Sequence, residues 1–218
     1  MLVVIEGRDY VGKTTQAKML LDRFNRIGSQ VKFYSFPRYE TATGKLIKEF
    51  LTKKDALKSI YDVYGFQYLH IADKFSALSE MSTVLYNRYH VVCCRWWPSV
   101  AMYGEYAGLG HHYLDVILEP LKCFPANEII PSLKILLDAP VSLTQSLIRD
   151  EHKDFYDKDV QMQHGLRDLY LGLWHSKKVL KDESYHIVPI QDNSGSSLLS
   201  PENVHQKIWS IVDQAFCL

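Results

Sequence analysis

Short apolar runs alternate along the chain with longer segments in which apolar residues recur every three or four positions. The short runs show little alternation of apolar and polar residues, which is typical of strands buried on both faces of a parallel sheet. The longer segments have the periodicity of helices with one buried face. This alternation predicts an α/β fold with a parallel sheet. The predicted strands span residues 2–5, 31–36, 89–94, 133–137 and 185–190.

The helical segments are bounded by turn residues. After the first strand, Ala17, Leu20 and Phe24 fall on one face, and Gly28 ends the segment. The longest predicted helix covers about residues 56–81, and Gly65 within it costs about 1 kcal/mol relative to alanine. No linker or internal repeat is visible, so we expect one domain over residues 1–218. Further helices are predicted at about residues 41–51, 98–103, 112–121, 141–149, 166–173 and 204–215.

The loop after the first strand carries a P-loop motif, from Gly7 to Thr14. Its glycines let backbone N–H groups turn toward a phosphate, Lys13 supplies a cation, and Thr14 offers a hydroxyl to Mg²⁺. The helix that follows directs its positive end at the same anion. A simple glycine-containing turn is the alternative, but strand, loop and helix together favour a nucleotide site. The predicted nucleotide-binding residues are Gly7, Tyr10, Val11, Gly12, Lys13, Thr14 and Thr15.

The composition narrows the classes of function. The formal net charge of the 218 residues is zero and no long basic run occurs, which argues against nucleic acid or an anionic membrane as a partner. Neither a signal peptide nor an apolar run of membrane-spanning length is apparent. Cysteines without metal-ligand spacing are expected to be free thiols in a reducing compartment. We therefore expect a soluble cytoplasmic protein. The cysteines are Cys93, Cys94, Cys123 and Cys217.

Basic residues near several strand ends suggest a second anionic ligand. Arg38 and Arg95 follow predicted strands, and Lys74 lies on the long helix. Phosphoryl transfer requires two substrates held in line, with cations over the phosphate oxygens. Residues 149–159 are dense in charges of both signs and are predicted to form a lid, although a solvated loop is the alternative. The lid cations are Arg149, Lys153 and Lys158.

These motifs together resemble those of thymidylate kinases, in the group of nucleoside monophosphate kinases. The resemblance runs nearly from end to end, and its first block is the most specific. The matching residues are Ile5 to Asp9 with Gly12 to Gln16, Phe36-Pro37-Arg38 with Gly44 to Ile47, Arg95 with Ser99 and Tyr103, Arg167 with Tyr170, and Pro201 to His205.

The resemblance implies a P-loop kinase fold of three layers, α/β/α, with a five-stranded parallel sheet in the order 2-3-1-4-5. It implies transfer of the γ-phosphoryl group of ATP, with Mg²⁺, to the 5′-phosphate of a pyrimidine deoxynucleotide. The expected acceptor is dTMP, with dUMP as a variant. A homodimer is also implied. The alternatives are a deoxynucleoside kinase and a nucleotide-binding protein with little catalysis.

The resemblance also implies roles for individual residues. Lys13 and Thr14 would hold the donor phosphates and the metal, and Asn193 would lie near the adenine. Arg38 and Arg95 would grip the acceptor phosphate. The implied catalytic residues are Lys13, Asp9, Arg95, Arg149 and Lys153. The implied substrate-binding residues are Asp9, Phe36, Arg38, Phe66, His70, Lys74, Arg95, Ser99, Tyr103 and Tyr156.

The chain departs from the family pattern on the acceptor and lid sides. Cys94 replaces the usual aspartate before the arginine, which puts ordinary turnover in question, because a thiol is a poor ligand for Mg²⁺. His70 and Lys74 stand where the family has a stacking aromatic residue and an arginine, so a preference for thymine is not assured. Tyr10 occupies a position where some members have an arginine, which leaves the lid to supply the catalytic cation. Such drift would suit a viral or phage enzyme.

Overall fold

The computed structural model describes residues 1–53, 57–110, 130–145, 147, 159–179 and 182–217. Helices and strands alternate along these residues, as the hydrophobic pattern predicts. The elements are β1 Leu2–Glu6, α1 Lys13–Arg26, β2 Val31–Ser35, α2 Ala42–Thr52, α3 Ile60–Tyr86, β3 His90–Cys94, α4 Trp97–Tyr106, β4 Leu133–Asp138, α5 Val141–Gln145, α6 Val160–Val179, β5 Tyr185–Pro189 and α7 Pro201–Phe216.

The five strands form one parallel sheet in the order β2-β3-β1-β4-β5. Every residue of the central strand β1 is buried. Val3 and Ile5 face a layer that contains α1 and α7. Leu2 and Val4 face the opposite layer, which contains α3. The predicted three-layer architecture and strand order are therefore confirmed, and apolar residues on both faces of β1 explain the lack of alternation in its sequence.

The long helix α3 differs from its prediction at both ends. It begins at Ile60, because Ser59 and Asp62 form a capping box that satisfies the first N–H groups. It continues past Met81 to Tyr86, and Val84 and Leu85 in this extension are partly buried against the core on that side of the sheet. Gly65 lies within the helix without breaking it, and a Cβ atom there would meet no neighbour within 4 Å.

Several predictions fall outside the described residues. These include the helix at 112–121, the segment 149–158 and Cys123. Cys93, Cys94 and Cys217 are free thiols, as expected. Among the described residues, no helix is both long and apolar enough to span a membrane.

Candidate active site

The P-loop has the backbone conformation that its glycines allow. Gly7 has a φ of 135°, and a Cβ atom there would lie 2.7 Å from the Leu137 carbonyl oxygen, so only glycine fits. Gly12 has a φ of 85° and directly precedes α1. In the described structure no side chain caps that helix, which leaves its first N–H groups for a ligand. Val11 is buried beneath the loop.

Lys13 curls back over the loop. Its Nζ donates a hydrogen bond of 2.6 Å to the Arg8 carbonyl oxygen and lies 3.9 Å from Asp9 Oδ1. Burial and then the nearby Arg95 lower the pKa of Lys13 to about 8, although Asp9 opposes the shift. The ammonium group is thus already largely removed from water, so binding a phosphate would cost it little further hydration.

A cleft of about 600 Å³ opens over the P-loop, within the usual size range of small-molecule sites. Of the predicted nucleotide-binding residues, Gly7 and Val11 are not among the described residues that line the cleft. Asn193 belongs to an exposed loop in which Asp192 accepts hydrogen bonds from serines, and it is not among the described residues that line the cleft. The predicted residues that line the cleft are Tyr10, Gly12, Lys13, Thr14 and Thr15.

A smaller pocket, here called the inner pocket, adjoins the cleft. The two spaces are adjacent, because five residues line both of them: Asp9, Phe36, Pro37, Tyr39 and Arg95. The predicted residues of the inner pocket are Asp9, Phe36, Phe66, His70, Lys74, Arg95, Ser99 and Tyr103. The residues that sequence reasoning missed are Pro37, Tyr39, Leu51, Gln67 and Val100. Gln67 could have been found, because it lies one helical turn before His70.

Asp9, Arg95 and Tyr103 form a connected polar cluster between the two spaces. Arg95 Nη2 donates to Asp9 Oδ1, and the Tyr103 hydroxyl donates to Asp9 Oδ2 at 2.8 Å. Burial alone would raise the pKa of Asp9, but Arg95 and Lys13 outweigh it and lower the pKa to about 2. Asp9 is therefore a carboxylate at any physiological pH, and it orients the guanidinium group of Arg95.

The wall formed by α3 is apolar with polar groups set into it. Lys74 is only 1% exposed, and its Nζ lies 5.1 Å from the centroid of the Phe36 ring. Burial lowers the pKa of Lys74 to about 8. Burial, followed by Lys74 and Arg95, holds the pKa of His70 well below its ordinary value, so the imidazole is neutral near pH 7. His70 meets Phe66 edge to face, with ring centroids 4.8 Å apart.

Arg38 is not brought together with the other predicted phosphate ligands. The buried carboxylate of Asp73 accepts from its backbone N–H at 2.8 Å and from its Nε at 3.3 Å. Arg38 Nη2 donates to the Asp73 carbonyl oxygen at 3.0 Å. Among the described residues, Arg38 lines neither the cleft nor the inner pocket, whereas its neighbour Tyr39 lines both. The α3 helix thus holds the arginine that the sequence assigns to the acceptor.

Cys94 lines the cleft from the end of β3. Burial raises the pKa of its thiol to about 12, against the opposing effect of Lys13 and Arg95. A neutral thiol is neither a nucleophile nor a ligand for Mg²⁺. Cys93, the next residue back, faces the opposite side of the sheet.

The cleft fits Mg²⁺ that arrives on a nucleotide. Magnesium sites usually combine one or two protein oxygens with phosphates and water. The Thr14 hydroxyl and the Glu40 carboxylate belong to residues on the cleft wall and are of this kind. Among the described residues, no group of three or more His, Cys, Asp or Glu side chains could hold an ion by itself. The predicted residues Arg149, Lys153 and Tyr156 lie outside the described part of the chain.

The chain is similar to known proteins. The family model described as thymidylate kinase matches residues 5–195. The chain belongs to the thymidylate kinase family. A probable thymidylate kinase of Pyrococcus abyssi is 31% identical over 216 residues, which cover 96% of this chain and 94% of that protein. The thymidylate kinase of Plasmodium falciparum is 25% identical over 175 residues, covering 79% of this chain and 77% of the relative.

Solved structures of the family share the fold. The thymidylate kinase of Candida albicans superposes with a TM-score of 0.75 at 23% sequence identity, covering 98% of this chain and 91% of the other. The enzyme of Ehrlichia chaffeensis gives a TM-score of 0.69 at 17% identity, covering 97% and 98% of the two chains.

Proposed function

We propose that this protein transfers the γ-phosphoryl group of ATP to dTMP and forms dTDP. The observation that carries the proposal is the junction of the cleft with the inner pocket at Asp9 and Arg95. Two anionic substrates, one in each space, would meet at the guanidinium group of Arg95. Membership of the thymidylate kinase family supports the choice of reaction.

The chain supplies positioning and charge rather than covalent chemistry. The P-loop N–H groups, Lys13 and the start of α1 hold the donor phosphates. Arg95, oriented by Asp9, holds the acceptor phosphate in line with them. A nucleoside monophosphate is already ionised near pH 7, so its attacking oxygen needs no general base. Thr14 and Glu40 line the cleft and would hold Mg²⁺, which would neutralise charge on the donor phosphates.

The inner pocket suits a pyrimidine with a carbonyl oxygen at C4. Lys74 offers only hydrogen-bond donors, and the C4 carbonyl oxygen of thymine or uracil would accept from its ammonium group. The amino group of cytosine would place donor against donor. His70 and Phe66 supply ring surfaces, and Gln67 can donate and accept. We therefore propose dTMP as the principal acceptor and dUMP as a lesser one.

Further elements of the proposal rest on the family rather than on the described residues. We propose that residues 149–159 close over the donor, with Arg149 or Lys153 meeting the charge of the transition state. We also propose a single domain, a homodimer and a cytoplasmic location. A nucleotide-binding protein with little catalysis is the second candidate, because Cys94 stands where the family has a carboxylate.

One assay tests the proposal. The protein is incubated with Mg-ATP and, in turn, with thymidine, dTMP, dUMP and dCMP, and both ADP and the phosphorylated product are measured. We expect dTDP from dTMP, less dUDP and almost no product from dCMP or thymidine. The Lys13→Ala variant is the control. Product from thymidine alone would indicate a deoxynucleoside kinase, and no product above the control with any acceptor would refute both kinase assignments.

A further inference from the structure

Glu6 is a buried carboxylate at the centre of the site that the proposed reaction does not use. It is the last residue of β1, directly before the P-loop, and its exposed fraction is 0%. A buried carboxylate is costly unless hydrogen bonds satisfy it. Both of its oxygens are satisfied, and the donors come from the start of α4 and from α6. They are the Trp96 N–H, the Ser99 hydroxyl and the Tyr170 hydroxyl.

The first of these bonds fixes the backbone on one side of Arg95. Arg95 has a φ of 63°, in the left-handed region that residues with a Cβ atom rarely adopt. Its own N–H donates to the Ile5 carbonyl oxygen at 3.1 Å. The N–H of the next residue, Trp96, donates to Glu6 Oε1 at 2.6 Å. The unusual turn between β3 and α4 is therefore held by two consecutive residues of β1.

The second bond reaches the guanidinium group of the same arginine. Ser99 donates its hydroxyl hydrogen to Glu6 Oε2 at 2.6 Å, which turns the oxygen lone pairs of Ser99 outward. Arg95 Nη1 donates a hydrogen bond of 3.3 Å to Ser99 Oγ. Tyr170 adds a third partner, since its hydroxyl lies 2.9 Å from Ser99 Oγ and 3.3 Å from Glu6 Oε2. Glu6 thus acts on both the backbone and the side chain of Arg95.

We propose that Glu6 is a positioning residue that, together with Ser99 and Tyr170, aims Arg95 at the point where the two phosphates meet. This inference rests on the proposed kinase reaction. Glu6 does not line the cleft or the inner pocket within the described structure, so it acts through Arg95 rather than on a substrate. Tyr170 lies on α6, so the network also fixes α6 against the catalytic centre.

The test is a double-mutant cycle on kcat and KM. Glu6→Gln keeps the size of the side chain, but it has one oxygen where glutamate has two. It therefore cannot accept hydrogen bonds from the Ser99 hydroxyl and the Trp96 N–H on separate oxygens. We expect it to lower kcat roughly 10- to 100-fold, the range of a small misplacement of a catalytic group, with the KM for ATP almost unchanged. In an Arg95→Lys background the same substitution should lower kcat by less than about twofold, because the effects of substitutions within one hydrogen-bond network are not additive.

Matched variants separate positioning from general destabilisation. Tyr170→Phe should lower kcat in the same direction but less, and Tyr185→Phe, a half-buried tyrosine on β5, should not. If Glu6→Gln fails to fold, the Tyr170→Phe cycle with Arg95→Lys decides by the same criterion. Losses that multiply in the double mutants, or a Glu6→Gln enzyme with normal kcat, would overturn the inference. A wild-type protein without dTMP kinase activity would instead refute the proposed function. In that case the dTMP affinities of wild type, the two single mutants and the double mutant are measured by calorimetry and compared by the same criterion.

Discussion

Replacing Lys74 by methionine should stabilise the protein while weakening the acceptor site. Methionine matches the length of the lysine stem but carries no charge. Among the described residues none accepts a hydrogen bond from the Lys74 ammonium group, which faces the inner pocket and the Phe36 ring. A buried ammonium group without such a partner favours the unfolded state, where water solvates it. The charge is therefore retained at the expense of stability.

The lowered pKa sets the magnitude. Burial, partly opposed by Glu6 and Asp73, lowers the pKa of Lys74 from 10.5 to about 8. Each pKa unit corresponds to about 1.4 kcal/mol, so the charged group costs about 3 kcal/mol of folding free energy at pH 7. Between pH 8 and 10.5 the unfolded chain binds more protons than the native protein at this site, and stability therefore rises with pH. At pH 9.5 roughly half of that cost should remain.

The assay is urea denaturation of wild type and Lys74→Met at pH 7 and pH 9.5. We expect the variant to be more stable by about 3 kcal/mol at pH 7, with roughly half of that difference left at pH 9.5. Lys18→Met, at an exposed position of α1, should show no such dependence on pH. A variant that is less stable than wild type at pH 7, or a difference that does not change with pH, would refute the reasoning. The KM for dTMP should rise tenfold or more, since a charged hydrogen bond is worth about 1.5–3 kcal/mol.

Two further predictions concern the metal and the lid. Cys94→Asp places a carboxylate near Lys13, so the Mg²⁺ concentration for half-maximal rate should fall by roughly tenfold. The exposed Cys217→Ala serves as control, and an unchanged magnesium dependence would mean that position 94 does not act on the metal. Arg149→Ala should lower kcat by roughly 10³-fold or more while changing KM far less, as expected of a cation that acts in the transition state. The control is Arg26→Ala, at an exposed position of α1. A rise in KM larger than the fall in kcat would assign Arg149 to ground-state binding.

The fold and most of the site could be predicted because local signals determine them. Apolar runs marked the strands, the P-loop motif marked the loop after the first strand, and the resemblance to thymidylate kinases supplied the order of the sheet. The residues at the ends of β1 and β3 converge because parallel strands deliver their carboxyl ends to one edge. Asp9 and Arg95 therefore meet although 86 positions separate them in the chain.

Side-chain direction after β2 could not be predicted in the same way. Arg38 and Tyr39 are consecutive residues in a loop, where no periodicity tells which one faces the cleft. Asp73 determines the direction of the Arg38 side chain. It is a residue of α3, distant in sequence, and it accepts hydrogen bonds from Arg38, Thr41 and Thr43. A buried carboxylate satisfied in this way holds its arginine firmly. Arg38 is thus directed away from the inner pocket by a tertiary contact, which the sequence motif does not reveal.

The position of Arg38 places unusual weight on Arg95. With Arg38 bound to Asp73, the cations that line the inner pocket within the described residues are Lys74 and Arg95. Lys74 is deep in the wall and its pKa is lowered to about 8, so it is partly uncharged in mildly alkaline solution. Burial opposes the charge of Arg95 as well, but Asp9 outweighs it and raises the pKa well above the ordinary value. Arg95 is thus the cation at the junction whose charge is secure and whose direction is fixed, and Glu6 contributes to that direction.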